Sequence, residues 1–251
     1  MNYKNYLERI GYSEKPEVNY ETLKTLHRKH LYSIPFENLD IHRGKKIILD
    51  INLIEEKILN NKRGGFCYEL NSLFFELLKE IGFDVKMLSA RVYNDDEVPG
   101  DEFDHMTLLV NIDGEEYLAD VGFGDSFIEP VQFNPDFVFE DDGGFFQIVK
   151  ENEKHFKLLR SEDGVLFTPK YLFSKDVRKL SDYTEACEYT QTSPKSHFTK
   201  NKLCSIANDW GRVTLVNDKL VIKKGRNKDE KPVRSEKEFN ENLLKYFGIS
   251  I

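Results

Sequence analysis

Long apolar runs are missing from this sequence. No stretch approaches the roughly 18 consecutive apolar residues that a membrane span needs. The opening run Met1-Asn2-Tyr3-Lys4-Asn5-Tyr6-Leu7-Glu8-Arg9 lacks the apolar core of a signal peptide, so a cytoplasmic protein is expected. Cysteine is scarce. The three residues Cys67, Cys187 and Cys204 are odd in number and widely spaced, which excludes a disulfide framework and leaves thiols in a reducing compartment. No Cys-x-x-Cys pair or clustered Cys/His set is present, so no structural metal is expected. Positive charge is in deficit: 36 Lys and Arg against 44 Asp and Glu give a net charge of −8, which argues against a general nucleic-acid binder. The basic tract Lys223-Lys224-Gly225-Arg226-Asn227-Lys228 is an exception and reads as a solvated loop. Internal repeats and low-complexity segments are also absent.

What is there divides by period. Over the first ~85 residues the pattern is helical. Leu23, Leu26, His27, His30 and Leu31 form a stripe that Pro35 interrupts, and 33–40 reads as an extended loop carrying Phe36. Leu70, Leu73, Phe74, Leu77, Leu78 and Ile81 line one face of a helix that Gly82 ends. From residue 83 alternation takes over, through 83–92, 105–112 and 115–121, with Asp113-Gly114 as a two-residue hairpin turn. Further strand-like runs fall at 145–149, 155–159 and 164–168. A last hairpin turns at Asn217-Asp218, and Phe239, Leu243, Leu244 and Phe247 mark a closing helix before Gly248. Helices, then strands, then a mixed tail indicate an α+β fold.

One cysteine stands out. In Arg63-Gly64-Gly65-Phe66-Cys67-Tyr68-Glu69-Leu70 the paired glycines meet the helix and place Cys67 in its first turn. Unsatisfied N–H groups and the dipole there favour a thiolate, and Arg63 adds positive charge. The hairpin brings in two more groups. If Ile112 pairs with Glu115, Thr107 lies opposite Asp120, and His105 shares the face of Thr107. His105 and Asp120 are then diagonal neighbours, roughly 7–8 Å apart by position, and their side chains can meet. A cysteine, an imidazole and a carboxylate are what nucleophilic catalysis needs. The remaining candidates carry less. His27 and His30, three apart on one helix, have no evident carboxylate or cysteine partners and read as structural. His42, His155 and His197 sit in polar surroundings, and Cys187 and Cys204 read as ordinary thiols. Gly122-Phe123-Gly124 presents two glycines that can expose N–H groups to a phosphate.

Taken together, these residues resemble the arylamine N-acetyltransferase family. The resemblance runs in order through Ile34-Pro35-Phe36-Glu37-Asn38, Arg63-Gly64-Gly65-Phe66-Cys67-x-Glu69-x-Asn71, Arg91-Val92, His105-Met106-x-Leu108, Asp120-Val121-Gly122-Phe123-Gly124, Ser193-Pro194-x-Ser196-x-Phe198 and Tyr246-Phe247-Gly248-Ile249. It implies an N-terminal helical bundle (1–84), a central β-barrel (85–190) and a C-terminal α/β lid (191–251) on a cysteine-protease or transglutaminase-like core. It implies a catalytic Cys67–His105–Asp120 triad and ping-pong transfer from acetyl-CoA to arylamines or arylhydrazines, with no metal. Phe36 and Phe123 match aromatic positions lining the acceptor pocket, and Gly122, Gly124 and Ser126 lie where the coenzyme A pyrophosphate is expected. The backbone N–H of Cys67, with a second donor from 103–105, would hold the oxyanion. Phe66 stands where many members have Trp, and the chain is somewhat short for the family, pointing to a trimmed lid. Residues 130–190 match weakly and supply no site. A cysteine hydrolase or transglutaminase-like enzyme would use the same three groups, and a binding or scaffold protein retaining the fold is a third class.

Overall fold

The computed structural model describes residues 3–135, 137–225 and 227–251. Its N-terminal part is helical: α1 (Tyr3–Arg9), α2 (Tyr20–Ser33), α3 (Leu39–His42), α4 (Ile51–Glu55), continued by a π-helical turn (Glu56–Asn60), and α5 (Cys67–Ile81). Helix α2 stops at the residue before Ile34-Pro35, as a proline that disfavours helix in its predecessor requires. Helix α5 buries Leu70, Leu73, Phe74, Leu77 and Leu78 completely, and Gly82 caps it in the left-handed region at φ 112°.

Eight antiparallel strands follow, wound into a nearly closed barrel: β2 (Asp84–Val92), β3 (His105–Ile112), β4 (Glu115–Ala119), β5 (Val131–Gln132), β6 (Val138–Asp141), β7 (Gly144–Lys150), β8 (His155–Ser161) and β9 (Thr168–Arg178). Their spatial order is β5-β4-β3-β2-β9-β8-β7-β6. Strand β3 explains why its sequence is apolar on both faces. Met106, Leu108 and Val110 pack on the helices with α5, while Leu109 joins Leu118, Phe146, Ile148 and Tyr171 inside the barrel. The β3–β4 turn has both central residues at positive φ (Asp113 53°, Gly114 92°), the geometry a two-residue hairpin requires, and Ile112 pairs with Glu115 as the sequence indicates.

The C-terminal part contains a 3₁₀ turn (Leu180–Tyr183), α6 (Thr184–Thr192), α7 (His197–Lys200), the meander β10 (Leu203–Asn208), β11 (Gly211–Val216), β12 (Lys219–Lys224), β13 (Asn227–Pro232), and α8 (Glu236–Phe247). Helix α8 buries Phe239, Leu243 and Phe247 against the core of this sheet. The fold is thus α+β, with helices, a barrel and an α/β C-terminal region.

Three details differ from the sequence pattern. Within 33–40 lies β1 (Phe36–Glu37), which pairs with β10 (Phe36 with Ser205, Glu37 with Cys204) and then leads into α3. Two residues are too short to show a period, and the partner is distant in sequence. The run 164–168 is a turn: Asp163 accepts the N–H groups of Val165 (2.8 Å) and Leu166 (2.9 Å), and β9 starts only at Thr168. The basic tract forms facing ends of β12 and β13, with Lys224 paired to Asn227, instead of an irregular loop; Arg226 lies outside the described residues. Among the described residues no helix is long and apolar enough to cross a membrane.

Candidate active site

Cys67 is the first residue of α5 and is buried. The helix start is fixed by Glu69, whose carboxylate accepts the Phe66 N–H at 3.2 Å. Gly64 tucks under Pro35 so closely that a Cβ there would lie 2.0 Å from the Pro35 carbonyl oxygen. The next residue after the cysteine, Tyr68, donates its hydroxyl hydrogen to the Phe103 carbonyl (2.8 Å) and so ties α5 to the approach to β3. Burial pushes the Cys67 thiol up, with a backbone hydrogen bond from Met106 acting against it and the Asp120 and Asp104 charges adding to it. The thiolate therefore depends on a base.

His105 and Asp120 meet as the hairpin register implies, with Nε2 to Oδ2 at 2.6 Å and both side chains buried. Because the carboxylate takes Nε2, Nδ1 is the ring nitrogen left for a thiol proton. Burial works to raise Asp120, but the His105 charge and hydrogen bonds from His105, Asn71 and Gly122 outweigh it and hold the carboxyl below its ordinary value. Asn71, one turn along α5 from Cys67, is the hub. Its Nδ2 donates to Asp120 Oδ1 (2.9 Å) and to the Met106 carbonyl (2.6 Å), and its Oδ1 accepts the Val121 N–H (2.9 Å). Gly122 donates its N–H to Asp120 Oδ1 (3.0 Å), and a Cβ at this position would lie 2.8 Å from Cys67 Cα. Only glycine fits there. The loop after Asp120 thus presses directly on the cysteine.

The charge on Arg63 is not free to act on the thiol. Arg63 pairs with Glu37 (2.7 Å) and Asp40 (3.1 Å), and Lys57 with Glu69 (2.9 Å) and Asp40 (3.1 Å). Two cations against three carboxylates leave this buried cluster without excess positive charge. Its effect is mechanical: it locks β1 and the Gly64-Gly65 segment to α5.

Phe123 is half-buried and packs edge-on against the His105 ring (5.2 Å between centroids, 82°), and Tyr171 of β9 lies on the same ring at 5.3 Å. Phe36 is buried, with Phe198 of α7 at 6.0 Å and the space beside Gly124 facing its ring. Ser126 lines a cavity of about 840 Å³ between the barrel and the C-terminal sheet. Arg160, Lys170, Arg212 and Lys223 line it too, with Asp125, Asp142, Glu162 and Asp163. The Ser126 hydroxyl is buried and has no hydrogen-bond partner among the described residues. Among the expected oxyanion donors, Phe103 N–H is taken by Ser89 (2.8 Å) and Asp104 N–H by the Asp101 carbonyl (3.3 Å), so neither points to a ligand.

The family profile described as N-acetyltransferase matches residues 19–251. Arylamine N-acetyltransferase 1 of Bos taurus is 32% identical over 98% of this chain and 93% of its own. The chain belongs to the arylamine N-acetyltransferase family. Among solved structures, the Salmonella typhimurium arylamine N-acetyltransferase superposes with a TM-score of 0.93 at 29% identity, covering 99% of this chain and 92% of the other. The Bacillus cereus arylamine N-acetyltransferase whose structure reveals a unique Cys-His-Glu catalytic triad gives 0.92 at 28% identity, covering 100% of both chains. Against that relative this chain is not short. The arylamine N-acetyltransferase family makes it an acyltransferase, with an aspartate here against His105. Sequence patterns give no part to three side chains at the site: Asn71, present in the motif without a role; Tyr171, from the weakly matching stretch; and His27, which reads as structural. His27 Nε2 accepts the Asp120 N–H at 3.0 Å. Among the described residues no group of three or more His, Cys, Asp or Glu side chains could hold a metal.

Proposed function

We propose that the chain transfers an acetyl group from acetyl-CoA to arylamines and arylhydrazines through an acetyl-Cys67 intermediate. The observation that carries this is the buried 2.6 Å His105–Asp120 pair, joined through Asn71 and Gly122 to the helix that begins at Cys67. His105 Nδ1 takes the thiol proton, and Asp120 holds the ring and offsets the imidazolium charge. The thiolate attacks the thioester carbonyl, and the Cys67 N–H at the helix start is the oxyanion donor. The C–S bond to the coenzyme breaks, and the departing thiolate takes the proton back. An amine then attacks acetyl-Cys67, His105 accepts its proton, and the thiol is restored.

Phe36 and Phe123 form flat apolar walls suited to an aromatic amine, and they keep water from the acyl-enzyme. The coenzyme's phosphates fall to Gly124 and Ser126, since the Gly122 N–H is committed to Asp120. Beyond Ser126 the cavity offers its nucleotide end a space with Lys170, which makes no ion pair among the described residues, whereas Arg160 and Arg212 share Asp125 and Lys223 holds Glu162. In this reading 1–84 supplies the nucleophile, 85–190 the histidine and aspartate, and 191–251 the lid.

Coenzyme A release from acetyl-CoA, followed with a thiol reagent with and without 4-aminosalicylate, tests the reading. Amine-dependent release is expected, and it should vanish in Cys67→Ala. Absence of turnover across a panel of amines, or turnover that survives the substitution, would overturn it and favour a cysteine hydrolase.

A further inference from the structure

The nine residues from Asp120 to Ile128 carry most contacts of the proposed site. Asp120 holds His105, Gly122 presses on Cys67, Phe123 covers the His105 ring, Gly124 faces Phe36, and Ser126 opens into the cavity. One side chain of α2 touches both ends of this loop. His27 Nε2 accepts the Asp120 N–H at 3.0 Å, and Nδ1 lies 2.8 Å from the Ile128 carbonyl oxygen. An amide can only donate and a carbonyl only accept, so the ring is the neutral tautomer with its proton on Nδ1. The ring is fully buried, stacked on Phe127 (5.5 Å, 17°) and edge-on to Phe74 of α5 (5.9 Å, 74°).

The two ends are secured by different groups. At the far end α2 also supplies Lys24 and Arg28, both paired with Glu129, and Asp141 accepts the N–H groups of Ile128 (2.6 Å) and Glu129 (2.9 Å). At the near end Asn71 of α5 accepts the Val121 N–H (2.9 Å) and donates to the Asp120 side chain (2.9 Å), while the backbone N–H of Asp120 itself goes to His27. We infer that His27 is a positioning residue for the proposed acyl transfer, setting the backbone of Asp120, and through it the orientation of His105, by accepting that N–H. The inference rests on the acyl-transfer reading for its function, but the effect it describes is on the thiol and can be read without any acyl donor.

Glutamine and asparagine substitutions separate the two links. In His27→Gln the side-chain carbonyl reaches the position of Nε2 and keeps the acceptor for Asp120. In His27→Asn the shorter amide reaches only the position of Nδ1 and keeps the link to Ile128. The rate of Cys67 alkylation by iodoacetamide at neutral pH, read by peptide mass mapping, would be compared in wild type, His27→Leu, His27→Gln and His27→Asn, together with kcat for acetyl transfer. Loss of an outer partner that orients a reactive group costs on the order of tenfold, so alkylation and kcat should fall about tenfold in the Leu and Asn variants and stay within about threefold of wild type in the Gln variant. A Leu variant with wild-type alkylation would overturn the inference, as would Gln and Asn variants equally impaired. If His27→Leu does not fold, the Gln–Asn difference still decides. Should wild type show no acetyl transfer, the functional reading fails alone, and the alkylation series still judges His27.

Discussion

His27 has a second consequence at the scale of single residues. Burial pushes its pKa down to about 4, against hydrogen bonds to Ile128 and Asp120 and the charges of Asp120 and Glu129. Between the ordinary value of 6.5 and about 4 the unfolded chain binds a proton that the folded chain does not, so this contribution to stability is lost as pH falls through that window. At about 1.4 kcal/mol per pH unit the loss reaches about 3 kcal/mol by pH 4. Urea midpoints at pH 7 and pH 4.5 should show a smaller fall for His27→Gln than for wild type; equal falls would refute the assignment. The sequence could not reveal this role, because both partners are backbone groups, 93 and 101 residues away. His105 and Asp120 were legible for the opposite reason: a two-residue turn fixes the register, and register fixes which side chains share a face. Arg63 shows the limit of reading charge from sequence. Its neighbours in the chain do not reveal that Glu37 and Asp40 are folded onto it.

At the scale of elements, the start of α5 depends on that ionic cluster. Burial works to lower the Lys57 pKa, but Glu69, Glu37 and Asp40 outweigh it and raise the group above its ordinary value. Lys57→Met would leave three buried carboxylates to Arg63 alone and should cost about 3–5 kcal/mol in urea unfolding. Lys46→Ala, which removes an exposed pair with Glu188, should cost under about 1 kcal/mol. A Lys57 variant no worse than the Lys46 one would show that the cluster does not hold the helix start. The body and the end of α5 could be read from its periodic apolar face and from Gly82, since both signals are local. Strand β1 could not be read: its two residues gain their structure from β10, and no local pattern records that. Similarly, the turn at 163–166 is built by one aspartate accepting two N–H groups, and its valine and leucine, both exposed, mimic a strand.

At the scale of the whole molecule, the cavity between barrel and C-terminal sheet draws on residues from 125 to 225 and has no signature in any one segment. Burial and the neighbouring Arg160 lower the Lys170 pKa against the charges of Asp125 and Glu162, and the proposed reading gives this side chain to the coenzyme's phosphates. Lys170→Ala should raise KM for acetyl-CoA about three- to tenfold with kcat kept, and change KM much less for acetyl-dephospho-CoA. Steady-state kinetics with both donors would check this, and an equal rise for both would remove Lys170 from the phosphate site. The pairing of Phe36 with Ser205 bears on biosynthesis. At about 5–20 residues per second, the ribosome makes the phenylalanine on the order of ten seconds or more before the serine. Until then β1 lacks the strand it pairs with, so the nascent chain carries Cys67 before that side of its surroundings can close, and chain termination before β10 leaves Phe36 without its strand partner.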